Sequence, residues 1–471
     1  MTIPLVLHPD RALPADPATL AAAREILAQT EPLPIVSMHG HVEADLLADN
    51  LPFPDPAELL IRPDHYLTRM LGSQGIDRAS LGLPEPGAGP LADPRATWRT
   101  FCANWKLYRG TPTRYWLTDV FGSVFGLTEH PDETNADELY DQLSARLARP
   151  EYRPLALLDR FRIETIATTD AAWDTLSVHE KVEPMTPTAV LPTMRPDVLF
   201  ALADPDWRAN LARLEAADGS EITSYAQFLD ALRRRRAHFV AHGALATDHG
   251  ALSTDTTPLS DADASRLFAD ALAGTATAAG EAAFIANMIF QMAAMSCDDG
   301  LVLQFHPGAL RNYAPDVAAR WGRDVGYDIP VPVDYVHGLA PLLTAFGHCP
   351  SFRMIIFTLD EDTFSRELAP LAGVFPALKL GAPWWFLDTP GGMRRFRDAV
   401  TDSAGFYNTT GFVDDTRAFC SIPARHNLAR RIDAGYLGGL VATHLLGLDE
   451  AIETGIDLAY RLPKSAYARQ A

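Results

Sequence analysis

His39 and His41 stand two residues apart at the end of an apolar run, Pro34-Ile35-Val36-Ser37-Met38. In an extended strand successive side chains alternate, so both imidazoles face one side. Two neutral imidazoles converging on one point can hold a divalent metal, provided a further ligand joins them. The polar, acidic stretch Glu43-Ala44-Asp45 follows. The run therefore reads as the C-terminal end of a buried strand, where α/β proteins place their chemistry. A bare His-x-His is equally compatible with ordinary strand-end histidines, so the case rests on what else the chain brings there.

Comparable ends recur along the chain. Further short apolar or β-branched runs lie at 163–168, 188–194, 240–246, 301–305, 353–358, 377–380 and 406–413. Their ends supply Thr168-Thr169-Asp170, Arg195-Pro196-Asp197, Asp248-His249-Gly250, His306, Asp360, Trp384-Trp385 and Asp414-Asp415-Thr416-Arg417. An aspartate after a strand is ordinarily a helix N-cap. The joint occurrence is what argues for a site, because in a closed barrel all these ends surround one mouth. The last strand then lies beside the first, and Asp414 or Asp415 can add an oxygen to the two imidazoles while leaving positions open to substrate or water. Arg195, Arg311 and Arg417 also fall at strand ends, and guanidinium forks suit a carboxylate or several sugar hydroxyls. Arg233 to Arg236 reads as the solvated side of a helix. Trp384-Trp385-Phe386 can wall a pocket for a sugar-like ligand.

The elements that must position these groups follow from the same pattern. With 35–38 the runs number eight and most are followed by helical segments, which implies a parallel sheet and a (β/α)8 TIM-type barrel. An open doubly wound sheet is the other arrangement of the same alternation. Its nucleotide-binding form is disfavoured, since no G-x-G-x-x-G or Walker A sequence is present. Between 42 and 155 no buried strand is expected. Helices at 56–61, 65–73, 96–108, 113–125 and 136–148, broken by prolines, form a helical insertion after the first strand. The expected organisation is 1–41 as an N-terminal helix (17–29, capped by Asp16) and the first strand, 42–155 as the insertion, and 156–471 as the rest of the barrel with C-terminal helices.

Composition narrows the partners. The chain has 471 residues and a formal charge of -20, which argues against nonspecific nucleic-acid binding. An anionic substrate must be held by local arginines against the overall field. Cys102, Cys297, Cys349 and Cys420 form no C-x-x-C and read as buried free thiols in a reducing compartment. No signal-peptide pattern is visible, and the most apolar window, 282–297, carries Asn287 and Gln291 and is short for a bilayer span. A soluble, cytoplasmic protein without a membrane partner is expected.

Taken together, the motifs resemble the uronate isomerase (glucuronate isomerase) family of the amidohydrolase superfamily. The stretches that carry the resemblance are HGH at 39–41, PDHY at 63–66, ATTDAAWDTL at 167–176, RPD at 195–197 and TDHG at 247–250. FHPGALRN at 305–312, GAPWWFLD at 381–388, DTRAF at 415–419 and ARH at 424–426 follow in the family's order, so the match spans nearly the whole chain. The resemblance implies an α/β barrel of the metal-dependent hydrolase kind and reversible aldose–ketose isomerisation of hexuronates, D-glucuronate to D-fructuronate and D-galacturonate to D-tagaturonate. It implies a divalent metal, zinc in most of the family, on His39, His41 and Asp415. The chemistry then makes Asp415 the candidate base, with Tyr66 relaying a proton between oxygens and His65 and Arg417 steadying the enediolate. Arg195 is the expected clamp on the uronate carboxylate, and His306, Arg311, Trp384, Trp385 and Asp248 are expected pocket contacts. The partner implied is a small sugar acid, bound by a homo-oligomer.

The chain departs from the family at Gly40, where cysteine is usual, and at Ala171-Ala172-Trp173, where an Asp-Pro pair is typical. Met194 stands where a tryptophan is common, and Pro307 replaces a small or β-branched residue. These positions bear on the substrate more than on the fold, so a divergent enzyme acting on another sugar acid is the alternative. A mononuclear metal-dependent hydrolase of the same superfamily is the other rival. A binuclear one would need a bridging lysine or glutamate, and Lys379 is the one lysine near a strand end. A non-catalytic sugar-acid binder would have replaced the metal and base residues, which are present.

Overall fold

The structure, a computed structural model, describes residues 3–83, 85 and 93–469. Its strands are β1 (Ile35–Ser37), β2 (Ile163–Ala167), β3 (Asp170–Ala171), β4 (Ala189–Leu191), β5 (Thr193–Arg195), β6 (Ala246–Ala251), β7 (Val302–Pro307), β8 (Ala309–Leu310), β9 (Ile329–Pro330), β10 (Met354–Ile356) and β11 (Leu378–Leu380). One ladder runs β1–β2–β4 and another β3–β5–β6–β7–β10–β11, every pairing within them parallel. Helices lie between the strands that pair in parallel, as crossovers between parallel strands require. The run expected at 188–194 is split by Pro192. Having no N–H to give the ladder, the proline separates β4, which pairs with β2, from β5, which pairs with β6.

Two expected strands need correction. At 240–246 the chain is still helical through Ala241, because Phe239 lies on the buried face of the helix Tyr225–Ala241. Gly243, at φ +86°, turns the chain out of the helix, and β6 begins only at Ala246. Asp248, His249 and Gly250 therefore lie inside the strand. The apolar run at 240–246 had joined a helix end to a strand start. At 406–413 no regular strand forms. Instead an irregular segment crosses from β11 to the end of β1. Leu380 N donates to Asn408 O at 2.9 Å and Thr410 N to Leu380 O at 3.0 Å on one side. Asp415 N donates to His39 O at 3.2 Å and His41 N to Thr416 O at 3.0 Å on the other. These backbone bonds, rather than a regular ladder, close the ring of the TIM-type α/β fold. Lys379 helps to pin the crossing, donating to Tyr407 O and to Asn408 Oδ1.

Among the described residues, 42–155 hold helices, turns and irregular segments but no regular strand, with one isolated antiparallel bridge between Glu129 and Pro4. The expected helix at 96–108 breaks at Asn104 into Pro94–Ala103 and the turn Trp105–Tyr108, and that at 113–125 becomes Pro112–Asp119 followed by a wide turn, Val120–Val124. Trp98, Tyr108, Trp116 and Phe121 pack in one cluster with Ile35, Val36 and Ile166, so the insertion shares its core with β1 and β2.

Three composition-based expectations also shift. Arg235 and Arg236 are buried, not solvated. Arg235 donates to Ala172 O, and Arg236 pairs with Asp299 at 2.6 Å. Of the four free thiols only Cys102 and Cys420 are fully buried. The apolar window belongs to a full helix, Ala278–Asp299, whose 22 residues are enough by length and composition to cross a membrane. In this fold it packs on β7 and the helix Ala340–Phe346 with Phe284, Met288 and Met292 buried.

Gly411 lies in the closing segment at φ +72°, and a Cβ there would meet Leu458 O at 2.4 Å. Gly411→Ala is expected to destabilise the fold by roughly 2 kcal/mol or more through overpacking and left-handed strain. Thermal unfolding checks this, and an unchanged Tm refutes it.

Candidate active site

The C-terminal ends of the strands surround a cavity of about 330 Å³. His39 and His41, just past β1, line it together with Arg195 at the end of β5, His306 on β7 and Trp384-Trp385 beyond β11. Asp415 and Arg417 enter from the closing segment, Arg311 from the loop after β8, and His65 and Tyr66 from the insertion. The last two begin the helix His65–Gly72, whose N-cap Asp64 accepts from Tyr66 N at 2.9 Å. Of the expected residues only Asp248 stands off the cavity. It is fully buried beneath it, 3.0 Å from Arg195 Nη1 and 2.8 Å from His306 Nδ1.

Asp415 Oδ1 lies 2.9 Å from His41 Nε2 and 3.4 Å from His39 Nε2. Donors at the corners of a tetrahedron about 2.1 Å from its centre are about 3.4 Å apart, so the three atoms fit a divalent ion. A second potential donor group, His39 with Asp248 and His306, shares one imidazole with the first. Its carboxylate, Asp248, is already paired with Arg195 and buried off the cavity, whereas all three members of the first group line it. The first group is thus the one that leaves room for a substrate oxygen. Asp414, the other candidate considered, turns its carboxylate away to His426 Nε2 at 3.0 Å. Asp415 itself sits at φ +41° and Trp385 at φ +48°, left-handed conformations that cost a non-glycine residue about 1 kcal/mol or more.

The electrostatics sort the groups. Burial opposes charge on Asp415, but His39 and His41 outweigh it and hold the carboxyl well below its usual range. Burial likewise opposes a protonated His39, yet Asp248 and Asp415 leave its pKa raised. Burial and the Arg417 charge push His65 down to about 4, so its imidazole is neutral at neutral pH. Burial pushes the Tyr66 phenol well above its ordinary range. Arg195, which lines the cavity, has Nε on Asp197 at 2.9 Å and Nη1 3.0 Å from Asp248, so Nη2 is the nitrogen engaged by neither carboxylate.

Aromatic rings set the floor. His39 stacks on His306 at 4.7 Å, and His306 stacks on Phe357 at 4.4 Å with Trp384 edge-on at 4.8 Å. His65 stacks on Tyr66 at 5.0 Å. Beneath Tyr66 lies the buried Arg425, its guanidinium 5.2 Å from that ring centroid and 3.6 Å from that of Trp116. Arg425 is paired with buried Asp388 at 2.6 Å.

Sequence reasoning singled out neither Asp324, Asn312 and Arg323 as cavity residues nor Arg425 and Asp388 as supports. Asn312 falls inside the FHPGALRN stretch, Asp388 inside GAPWWFLD and Arg425 inside ARH, which are the signals that pointed at them. Asp324, ion-paired with Arg417, and Arg323, ion-paired with Asp204, lie in an irregular segment with no pattern to mark them.

Residues 19–465 match the family profile described as glucuronate isomerase. The chain belongs to that family. Among members of the family, a uronate isomerase from Xanthomonas campestris pv. campestris (strain 8004) is 52% identical over 99% of this chain and 100% of its own length. The crystal structure of glucuronate isomerase from Caulobacter crescentus superposes with a TM-score of 0.96 at 46% identity, covering 99% of this chain and 97% of that one. Uronate isomerase from Thermotoga maritima gives 0.92 at 26% identity, covering 98% and 100%. The family's frame thus extends across the whole chain, insertion included.

Removing Arg425 leaves Asp388 buried without its partner. Arg425→Met is expected to cost about 3–5 kcal/mol of stability in denaturant unfolding. Asp388→Asn plus Arg425→Met is expected to recover part of it. A double variant no better than the single one contradicts this account.

Proposed function

We infer that this chain is a uronate isomerase that interconverts an aldose hexuronate and its ketose, D-glucuronate with D-fructuronate and D-galacturonate with D-tagaturonate. The observation that carries the inference is the convergence of His39, His41 and Asp415 with Tyr66, His65, Arg417 and Arg195 around one cavity in a chain of this family.

Isomerisation moves a proton from C2 to C1 of the sugar through an enediol and a second proton between the two oxygens. Asp415 is ionised throughout the working range and is the candidate base. The two imidazoles that keep it ionised also weaken it as a base, so its role depends on an oxygen free of ligation. Tyr66 keeps its phenolic proton, as its raised pKa requires, and can pass it between the sugar oxygens. His65, neutral, and Arg417, oriented by Asp324, steady the enediolate charge. Arg195, through Nη2, clamps the uronate carboxylate in a protein whose net charge of -20 would otherwise repel it. Trp384, Trp385, His306 and Arg311 shape the pocket, and Asp248 acts through Arg195 and His306. A divalent ion, which we take to be zinc, would sit on His39, His41 and Asp415 and supply Lewis-acid polarisation of a substrate oxygen. The free thiols support a cytoplasmic setting, and the assembly we propose is a homo-oligomer. The binuclear hydrolase reading has lost its bridge, since Lys379 is tied to Tyr407 O and Asn408 Oδ1.

Incubation with D-glucuronate and D-galacturonate in deuterated water, followed by proton NMR, is expected to show the ketose with exchange at C2. Metal-loaded, folded protein that turns over neither sugar overturns the reading. His41→Ala and Asp415→Asn are each expected to lose bound metal, measured by elemental analysis, and about 100-fold or more in kcat. Full activity in both removes the site assignment. Tyr66→Phe is expected to lower kcat by a similar factor with KM little changed, and an unchanged kcat excludes the proton relay.

A further inference from the structure

A second cavity, of about 260 Å³, opens at the other end of β1 from His39 and shares no lining residue with the first. Its walls carry Arg11, Arg160, Arg162 and Arg430. Two carboxylates also border it, and both are already engaged, Asp119 by Arg11 at 2.5 Å and Glu31 by Arg431 at 3.0 Å. Among the described residues Arg160, Arg162 and Arg430 have main-chain carbonyls as hydrogen-bond partners and form no ion pair. Arg160 donates to Ser123 O and Val124 O, Arg162 to Pro32 O and Glu31 O, and Arg430 to Glu31 O, Leu33 O and Pro34 O. Carbonyls satisfy N–H groups but do not neutralise a charge.

Arg430 is the sharpest case. The residue is 7% exposed, its Nε has no partner, and it borders the cavity. Burial first, and then the neighbouring Arg162 charge, press it down to about 10, with Glu31 acting the other way. Arg162 is held at φ +55°, a conformation in which asparagine is better tolerated than arginine. In a protein of net charge -20, three guanidiniums without an ion pair, Arg160 and Arg162 exposed and Arg430 buried, gather around one cavity.

We propose that this cavity at the foot of the barrel is a binding site for a small oxyanion, a phosphoryl or carboxylate group, distinct from the catalytic cavity and independent of the reaction assigned there. The planar forks of Arg160, Arg162 and Arg430 offer bidentate contacts to such a group, and the anion supplies the charge that the carbonyls cannot.

The test is isothermal titration calorimetry of the intact, metal-loaded protein with inorganic phosphate, and in a parallel arm with citrate, at ionic strength held constant with chloride. Saturable binding of at least one probe is expected, with the stronger one identifying phosphoryl or carboxylate as the natural group. Arg162→Asn, which suits the left-handed backbone, is expected to weaken it about tenfold or more while leaving kcat unchanged. Arg195→Gln, in the catalytic cavity, is expected to leave it intact. If Arg162→Asn does not fold, Arg160→Gln carries the same expectation. No saturable binding of either probe overturns the proposal. So does binding that survives the foot-of-barrel variant undiminished, which places the anion in the catalytic cavity.

Discussion

The catalytic cavity depends on one backbone junction. Asp415 N bonded to His39 O, and His41 N to Thr416 O, bring the last segment of the ring against the first strand. His39 and His41 are encoded near one end of the chain and Asp415 near the other. Without this junction two imidazoles face solvent with no third donor, and Arg417 has no fixed relation to either. The closing segment achieves this while irregular, with Gly411 passing close to Leu458 O and Asp415 held in a left-handed conformation. Asp414 turns toward His426 and Asp415 into the cavity, the opposite directions that neighbouring residues of an extended chain take, so two neighbouring carboxylates do different jobs.

The second constraint is charge without water. Buried Asp248, His306 and His39 form a chain with the half-buried Arg195, in which Asp248 faces both Arg195 and His306. Arg425 and Asp388 pair beneath Tyr66. Such pairs add little net stability but are costly to break, because the survivor is left unsolvated. They fix the angle of the rings and of the guanidinium fork that border the cavity, which is what positioning a sugar acid demands.

Much of this was legible in the residue order. His39 and His41 were readable because alternation after an apolar run is a local property, and the pair Asp414 and Asp415 because a closed ring places first and last strands together, with the family resemblance choosing Asp415. Tyr66 and His65 lie in an insertion whose docking is set by packing among Trp98, Trp116 and Ile35, so the PDHY stretch, not the pattern, pointed to them. The run at 240–246 misled because a helix end and a strand start are both apolar where they abut. The segment at 406–413 misled because its place in the ring is held by four backbone bonds that leave no periodicity in the side chains. Asp324 and Arg323 were invisible for a related reason: an irregular segment reaches the cavity by tertiary contacts alone.

The helix Ala278–Asp299 has a consequence for the newly made chain. Its surfaces are covered partly by β7 and Ala340–Phe346, which leave the ribosome after it, so for a time the nascent protein displays a segment apolar enough to pass for a lipid-spanning one. Asn287 argues against that fate. In the folded protein its amide donates to Tyr225 Oη at 2.8 Å and accepts from Leu259 N at 3.0 Å, with no exposure to water. In hydrocarbon both bonds would be missing, and each unsatisfied polar group there is penalised. One carboxamide thus ties the helix to Tyr225 and Leu259 by two hydrogen bonds that hydrocarbon could not replace.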